Sequence, residues 1–213
     1  MSIRTALVCS LVAALALTGA GCSSSGSSGG GPSSSAPPTI VPSHATGHNK
    51  KLNLKGALLK HVPGSFKQTP DANVNKGTGF TAAAANDPRK PKRSRRSLHR
   101  DRFVETYQRV WTGFGDSTIQ IVLFKFQVVG GPRAYQSTLS QALKVKLGQT
   151  DPVTVPGIGT ATGFTQKDSR NHETTYILAS VGVVMMLVKL TGKVALGQVQ
   201  RAVAVATRQF KRL

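Results

Sequence analysis

The stretch Ser117–Val129, STIQIVLFKFQVV, decides the fold class. It is rich in β-branched and aromatic residues and long enough for a central strand. Gly130-Gly131-Pro132 stops it, and Pro132 suits the first turn of a helix reaching to Leu147. Tyr135, Leu139, Ala142 and Leu143 give that helix a buried stripe. Downstream, Thr174–Leu190 is very apolar, but its uncharged run of 15 residues is short of the ~20 that a membrane-spanning helix needs. Gly182 in its middle predicts a hairpin of two strands, or one long buried strand.

Working outward, Leu52–His61 predicts a short helix ended by Val62-Pro63-Gly64, and Gly77–Ala85 a strand. Phe103, Tyr107, Val110, Trp111 and Phe114 fall at helical spacing, so a helix is expected there, with Glu105 four residues before Arg109 as a supporting pair. Trp111 and Phe114 are then core residues. Asp151–Gly159 reads as a loop, Thr160–Thr165 as a strand and Gln166–Glu173 as a polar turn. Lys193–Leu213 closes the chain as a helix with Leu196, Val199, Val203, Ala206 and Phe210 inward. The order predicts an α+β fold: a mostly antiparallel sheet packed with amphipathic helices on one or both faces. Thr78-Gly-Phe-Thr81 recurs as Thr162-Gly-Phe-Thr165, but two short matches among common residues do not establish a duplication.

Composition narrows the function classes. The 213 residues carry 28 Lys and Arg against 8 Asp and Glu, a formal charge of +20. So few carboxylates argue against a two-carboxylate hydrolase or a calcium cage. Two cysteines, Cys9 and Cys22, build neither a disulfide framework nor a cysteine-rich zinc site.

Residues 1–21 have the form of a secretory signal: Arg4, then the uncharged Thr5–Thr18, then Gly19, Ala20 and Gly21 before Cys22. Ser23–Asn49 has no Lys, Arg, Asp or Glu and is dominated by Ser, Gly and Pro, a composition expected to stay disordered. A flexible coil of 27 residues separates its ends by roughly 30 Å. His44 and His48 lie within it four apart, but without a helix that spacing presents no ligand pair. The expected organisation is a signal at 1–21, a tether at 22–49 and one α+β domain at 50–213.

Arg89–Arg102, RKPKRSRRSLHRDR, is the strongest local signal, with eight basic residues: Arg89, Lys90, Lys92, Arg93, Arg95, Arg96, Arg100 and Arg102. Helix N-termini favour negative charge, so this cluster ahead of the expected Phe103 helix reads as a basic loop, 86–102, that grips a polyanion. A merely solvated insertion and a protease-sensitive dibasic loop are the competing readings.

Other constellations are weaker. Asp168-Ser169-Arg170-Asn171-His172-Glu173 gathers acids, a nucleophile and a base, yet neighbours along a turn point apart, and a triad draws its members from separate elements. Gly157, Gly159 and Gly163 miss the spacing of a dinucleotide fingerprint. His61 and His99 have no partner that the sequence names. No catalytic set, metal site or cofactor is expected.

Ala20-Gly21-Cys22 resembles the lipobox of bacterial lipoproteins, in which the cysteine is diacylated and becomes the N-terminus. Gly19 stands where that family prefers Leu, a substitution that looser forms of the motif accept. With the Ser/Gly/Pro tether, the Val-Pro-Gly turns and the closing helix, the chain is similar to small actinobacterial lipoproteins, some with sandwich folds like the photosystem-associated PsbP proteins. The resemblance implies a lipid anchor at Cys22 and carries over no other functional residue.

The function expected is therefore a non-catalytic binding domain tethered to the outer face of a cell membrane. Its partners would be anionic phospholipid or wall polymer, and not nucleic acid, which an exported chain rarely meets. A second expectation is a carrier of apolar ligands, with a cavity lined by residues 119–128 and 176–188. A third is an envelope hydrolase in which His172 or His61 meets a nucleophile and an acid.

Overall fold

The computed structural model describes residues 52–70, 76–77, 87, 89, 91–193 and 197–213. The expected signal, the tether with Cys22, His44 and His48, most of the expected Gly77–Ala85 strand, Lys90 and Leu196 lie outside them. Helices are α1 (Leu54–Ala57), α2 (Pro91–Arg100), α3 (Gly130–Leu147) and α4 (Gln198–Phe210). Strands are β1 (Lys67–Gln68), β2 (Lys76–Gly77), β3 (Phe103–Thr112), β4 (Thr118–Phe126), β5 (Asp151–Val153), β6 (Thr162–Lys167), β7 (His172–Val181) and β8 (Val184–Lys193).

The fold is α+β. One antiparallel sheet runs in the order β1-β3-β4-β8-β7-β6-β5, and β2 also pairs with β3. The two apolar stretches form its middle: β4 lies between β3 and β8, and β8 pairs back on β7 across Gly182, whose φ of 53° fits the tight turn.

Because successive side chains point to opposite faces, each central strand feeds two cores. From β4, Ile119, Ile121 and Leu123 enter a core with Trp111, Met186 and Val188, covered by α1 and by Ala202, Val205, Ala206 and Phe210 of α4. Val122, Phe124 and Phe126 enter the other, with Leu98 of α2 and Tyr135, Leu139 and Leu143 of α3. Helices thus cover both faces. A buried amide joins α4 to α1: Gln209 accepts from Leu59 N at 3.0 Å and donates to Ala57 O at 3.0 Å.

Five expectations are corrected. Residues 103–112 are a strand, β3, and not a helix. A bulge between Phe103 and Glu105 switches the face of the following residues, so Phe103 joins the α3 core while Tyr107 and Trp111 join the α1 core. The apolar spacing that mimics a helical stripe is therefore two strand faces joined by a bulge. Glu105 does not pair with Arg109; it lies 3.5 Å from Lys125 on β4, and Arg109 donates to Leu59 O at 2.6 Å. Phe114 is 97% exposed on a 3-10 turn, not in the core, whereas Trp111 is buried at 1%.

The third correction concerns the basic segment. Residues 91–100 form helix α2 rather than a loop. Pro91 suits a first helical position, and Ser94, Ser97, Leu98 and Asp101 fall at 3–4 residue spacing and are buried. Fourth, the expected 52–61 helix shrinks to one turn. Asn53 caps it, accepting from Lys55 N at 3.0 Å and Gly56 N at 3.3 Å, and Leu58 is already extended. The 151–159 loop also begins with strand β5.

Candidate functional site

Two features stand apart from the cores, on opposite flanks of α3. The first is the outer face of α2, where Lys92, Arg93, Arg95, Arg96, His99 and Arg100 are exposed, continued by Arg102. Like charges three and four positions apart destabilise a helix by about 0.2–0.5 kcal/mol per pair, so tertiary contacts must hold this one. Leu98 anchors it, and Arg100 bonds Asp101 at 2.7 and 3.1 Å and Thr138 of α3 at 3.1 Å.

Ahead of α2, Arg89 is buried and clamped onto Asp87, with Nε 3.0 Å from both carboxylate oxygens. Tyr135 of α3 donates to the same carboxylate, and the guanidinium lies 5.3 Å from the Tyr135 ring centre. Burial opposes the Arg89 charge, but Asp87 outweighs it and raises the pKa. Burial first, then the Asp87 charge, holds the Tyr135 phenol well above its usual value. Of the eight basic residues singled out in the sequence, Arg89 is thus committed to a buried ion pair. Lys90 lies outside the described residues. The other six form the surface.

That surface has an apolar edge. Gln127 N donates to Arg102 O at 3.0 Å, and the next residues, Val128 and Val129, are 41% and 62% exposed. Gly131 makes the close approach possible: a Cβ there would lie 2.5 Å from Asp101 O.

The second feature is an open groove of about 550 Å³ between α3 and the β6–β7 side of the sheet. Arg133, Gln136, Ser137, Ser140, Gln141 and Lys144 line it from α3, facing Thr160, Thr162 and Ser180. Gln136 Nε2 donates to Thr160 O at 2.6 Å and to Leu178 O at 3.3 Å. Two carbonyl acceptors fix the amide orientation and leave Gln136 Oε1 without a partner. Ser180 is pinned by its backbone, with Thr160 Oγ1 donating to Ser180 O at 2.8 Å, while Ser180 Oγ is unpartnered. A buried polar atom without a partner costs about 1–3 kcal/mol, so two beside one groove are a feature to explain.

The remaining sequence candidates have structural employment. Asp168 accepts from Arg170 N and His172 N at 2.9 Å each, which closes the β6–β7 turn and lowers its pKa, with the His172 N–H contributing most. Ser169 is exposed, and Glu173 is buried and accepts from Thr165 Oγ1 at 3.1 Å. The strands expected to line an apolar cavity send Ile121, Phe124, Ile177 and Met186, all fully buried, into the two cores.

Sequence reasoning missed the groove. Its signal is the polar stripe at 133, 136, 137, 140, 141 and 144, beside the apolar stripe of the same helix. What turns that stripe into a groove wall is the 159–162 segment packed opposite, and no local pattern encodes that.

The topology has a solved counterpart. It is similar to the extracellular domain of PknH from Mycobacterium tuberculosis, with a TM-score of 0.50 and 13% sequence identity, covering 75% of this chain and 95% of that one. At that identity the likeness shows the fold alone. No family model matches the chain, and no curated protein does. Among the described residues no helix is long and apolar enough to cross a membrane.

Proposed function

We propose that this chain is a lipid-anchored, non-catalytic binding domain of a bacterial cell envelope, attached through Cys22 and laid against anionic phospholipid by the outer face of α2. The observation that carries the reading is the α2 surface: six exposed basic residues from Lys92 to Arg102 beside exposed Val128 and Val129. Cations next to exposed valines suit a lipid interface, with charged headgroups above and acyl chain below, better than a wall polymer that offers charge alone. The likeness to an extracellular domain supports a place outside the cytoplasm, where nucleic acid is not the expected partner.

Magnitudes support two-point attachment. Each Lys or Arg near an anionic leaflet contributes about 1 kcal/mol, so Lys92, Arg93, Arg95, Arg96 and Arg102, leaving out Arg100 bonded to Asp101, supply about 5 kcal/mol and a dissociation constant of order 0.1 mM. Diacylation of Cys22 would confine the domain near the bilayer, where such weak contacts become continuously occupied. Cys22→Ala should shift the protein from the membrane fraction to the medium; full membrane retention of the unacylated chain would overturn the anchor.

A further inference from the structure

We propose that the groove between α3 and β6–β7 is a binding site for a phosphorylated polyol, a small molecule carrying hydroxyls and a phosphate together. Three observations converge. Arg133 and Lys144, both exposed, stand three turns apart on the α3 wall, about 16 Å along its axis, and supply positive charge near the two ends of the groove. Gln136 Oε1 and Ser180 Oγ, on residues 7% and 4% exposed, are unpartnered beside the same groove. Around them stand the hydroxyl-bearing Ser137, Ser140, Thr160 and Thr162.

The chemistry of these groups selects the ligand class. A carbonyl oxygen such as Gln136 Oε1 only accepts, so it calls for an O–H or N–H. Inorganic phosphate brings only about one or two O–H groups at neutral pH, and a neutral sugar leaves the cations unanswered. A hydroxylated phosphate answers both. Gln136 and Ser180 both line the groove, so the two unpartnered atoms belong to its wall. The site is distinct from the lipid-facing surface, because Arg100 of α2 meets α3 at Thr138, and Asp87 ahead of α2 meets it at Tyr135, on the other flank of that helix.

The test uses the full chain with Cys22→Ala and titration calorimetry against glycerol 1-phosphate and glucose 1-phosphate, with glycerol, glucose and inorganic phosphate as controls. Binding about tenfold or more tighter for a phosphorylated polyol than for either of its parts is expected. Ser180→Ala should weaken it about fivefold or more while leaving thermal stability unchanged or higher, since a buried hydroxyl without a partner is removed. Arg133→Gln with Lys144→Gln should weaken it further, whereas glutamines on α2 should not. No binding of either probe at about 10 mM, affinity matched by inorganic phosphate, or full affinity in Ser180→Ala would each overturn the proposal. Competition by phosphatidylglycerol vesicles, measured with α2 neutralised, would assign the ligand to a lipid headgroup, and binding without competition to a soluble phosphate.

Discussion

Single side chains join parts of this fold that are far apart in sequence. Gln209 on α4 serves both the N–H of Leu59 and the carbonyl of Ala57, about 150 residues away. Gln209→Leu keeps the volume and strands the Leu59 N–H, while Ala57 O keeps its bond from Arg212 Nε at 3.1 Å, so it should lower the unfolding free energy by about 1–3 kcal/mol in urea titrations. Tyr135 plays the equivalent part on the other face. Tyr135→Phe leaves the buried Asp87 short of a donor and should cost about 1–3 kcal/mol at neutral pH.

Tyr135 also predicts a pH effect. Its folded pKa lies above the unfolded value near 10, so its contribution is complete below pH 10 and is lost as pH rises through the raised folded value. Stability measured at pH 9 and pH 11 should fall more steeply in the parent than in Tyr135→Phe. Tyr176, raised by burial, keeps some decline in the variant. Equal slopes would show that Tyr135 does not titrate with unfolding.

At the scale of elements, how much was legible depended on whether a local pattern had one explanation. The β4 stretch, helix α3 and the closing helix are readable because burial on both faces, or one clean helical stripe, leaves no competitor, whereas the stretch about Gly182 leaves a hairpin and one long buried strand open and folds as the hairpin. Strand β3 is not readable, because its bulge shifts Phe103 out of phase with Tyr107 and Trp111 and imitates a period of 3.6. The content of Val, Thr, Tyr and Trp in 103–112 was the available signal. Helix α2 was hidden by its charge, although Ser94, Ser97, Leu98 and Asp101 trace an inward stripe. Its junction with α3 is tight, so Gly131→Ala should destabilise by about 1–3 kcal/mol in thermal or urea unfolding, through collision with Asp101 O and Phe126. An unchanged midpoint would mean that the α2–α3 junction yields without cost.

For the whole molecule, the two apolar stretches and the two-sided core follow from period-two alternation, but the placement of charge does not. The +20 of the chain is spread over the body, and only the folding of 91–100 into a helix concentrates part of it on one face. The groove likewise exists only once α3 lies beside the 159–162 segment. Sequence therefore located the basic residues and could not tell that Arg89 is buried while six others form a surface.

The central claim is that this face, and not the acyl chain alone, meets the membrane. Its most direct test is co-sedimentation of the unacylated Cys22→Ala protein with vesicles of phosphatidylglycerol and phosphatidylcholine, compared with the same protein carrying Arg93→Gln, Arg95→Gln and Arg96→Gln. Sub-millimolar binding to anionic vesicles that weakens with salt is expected, with about 100-fold weaker binding in the triple variant and none to pure phosphatidylcholine. Equal binding of the two proteins, or equal binding to neutral vesicles, would contradict it.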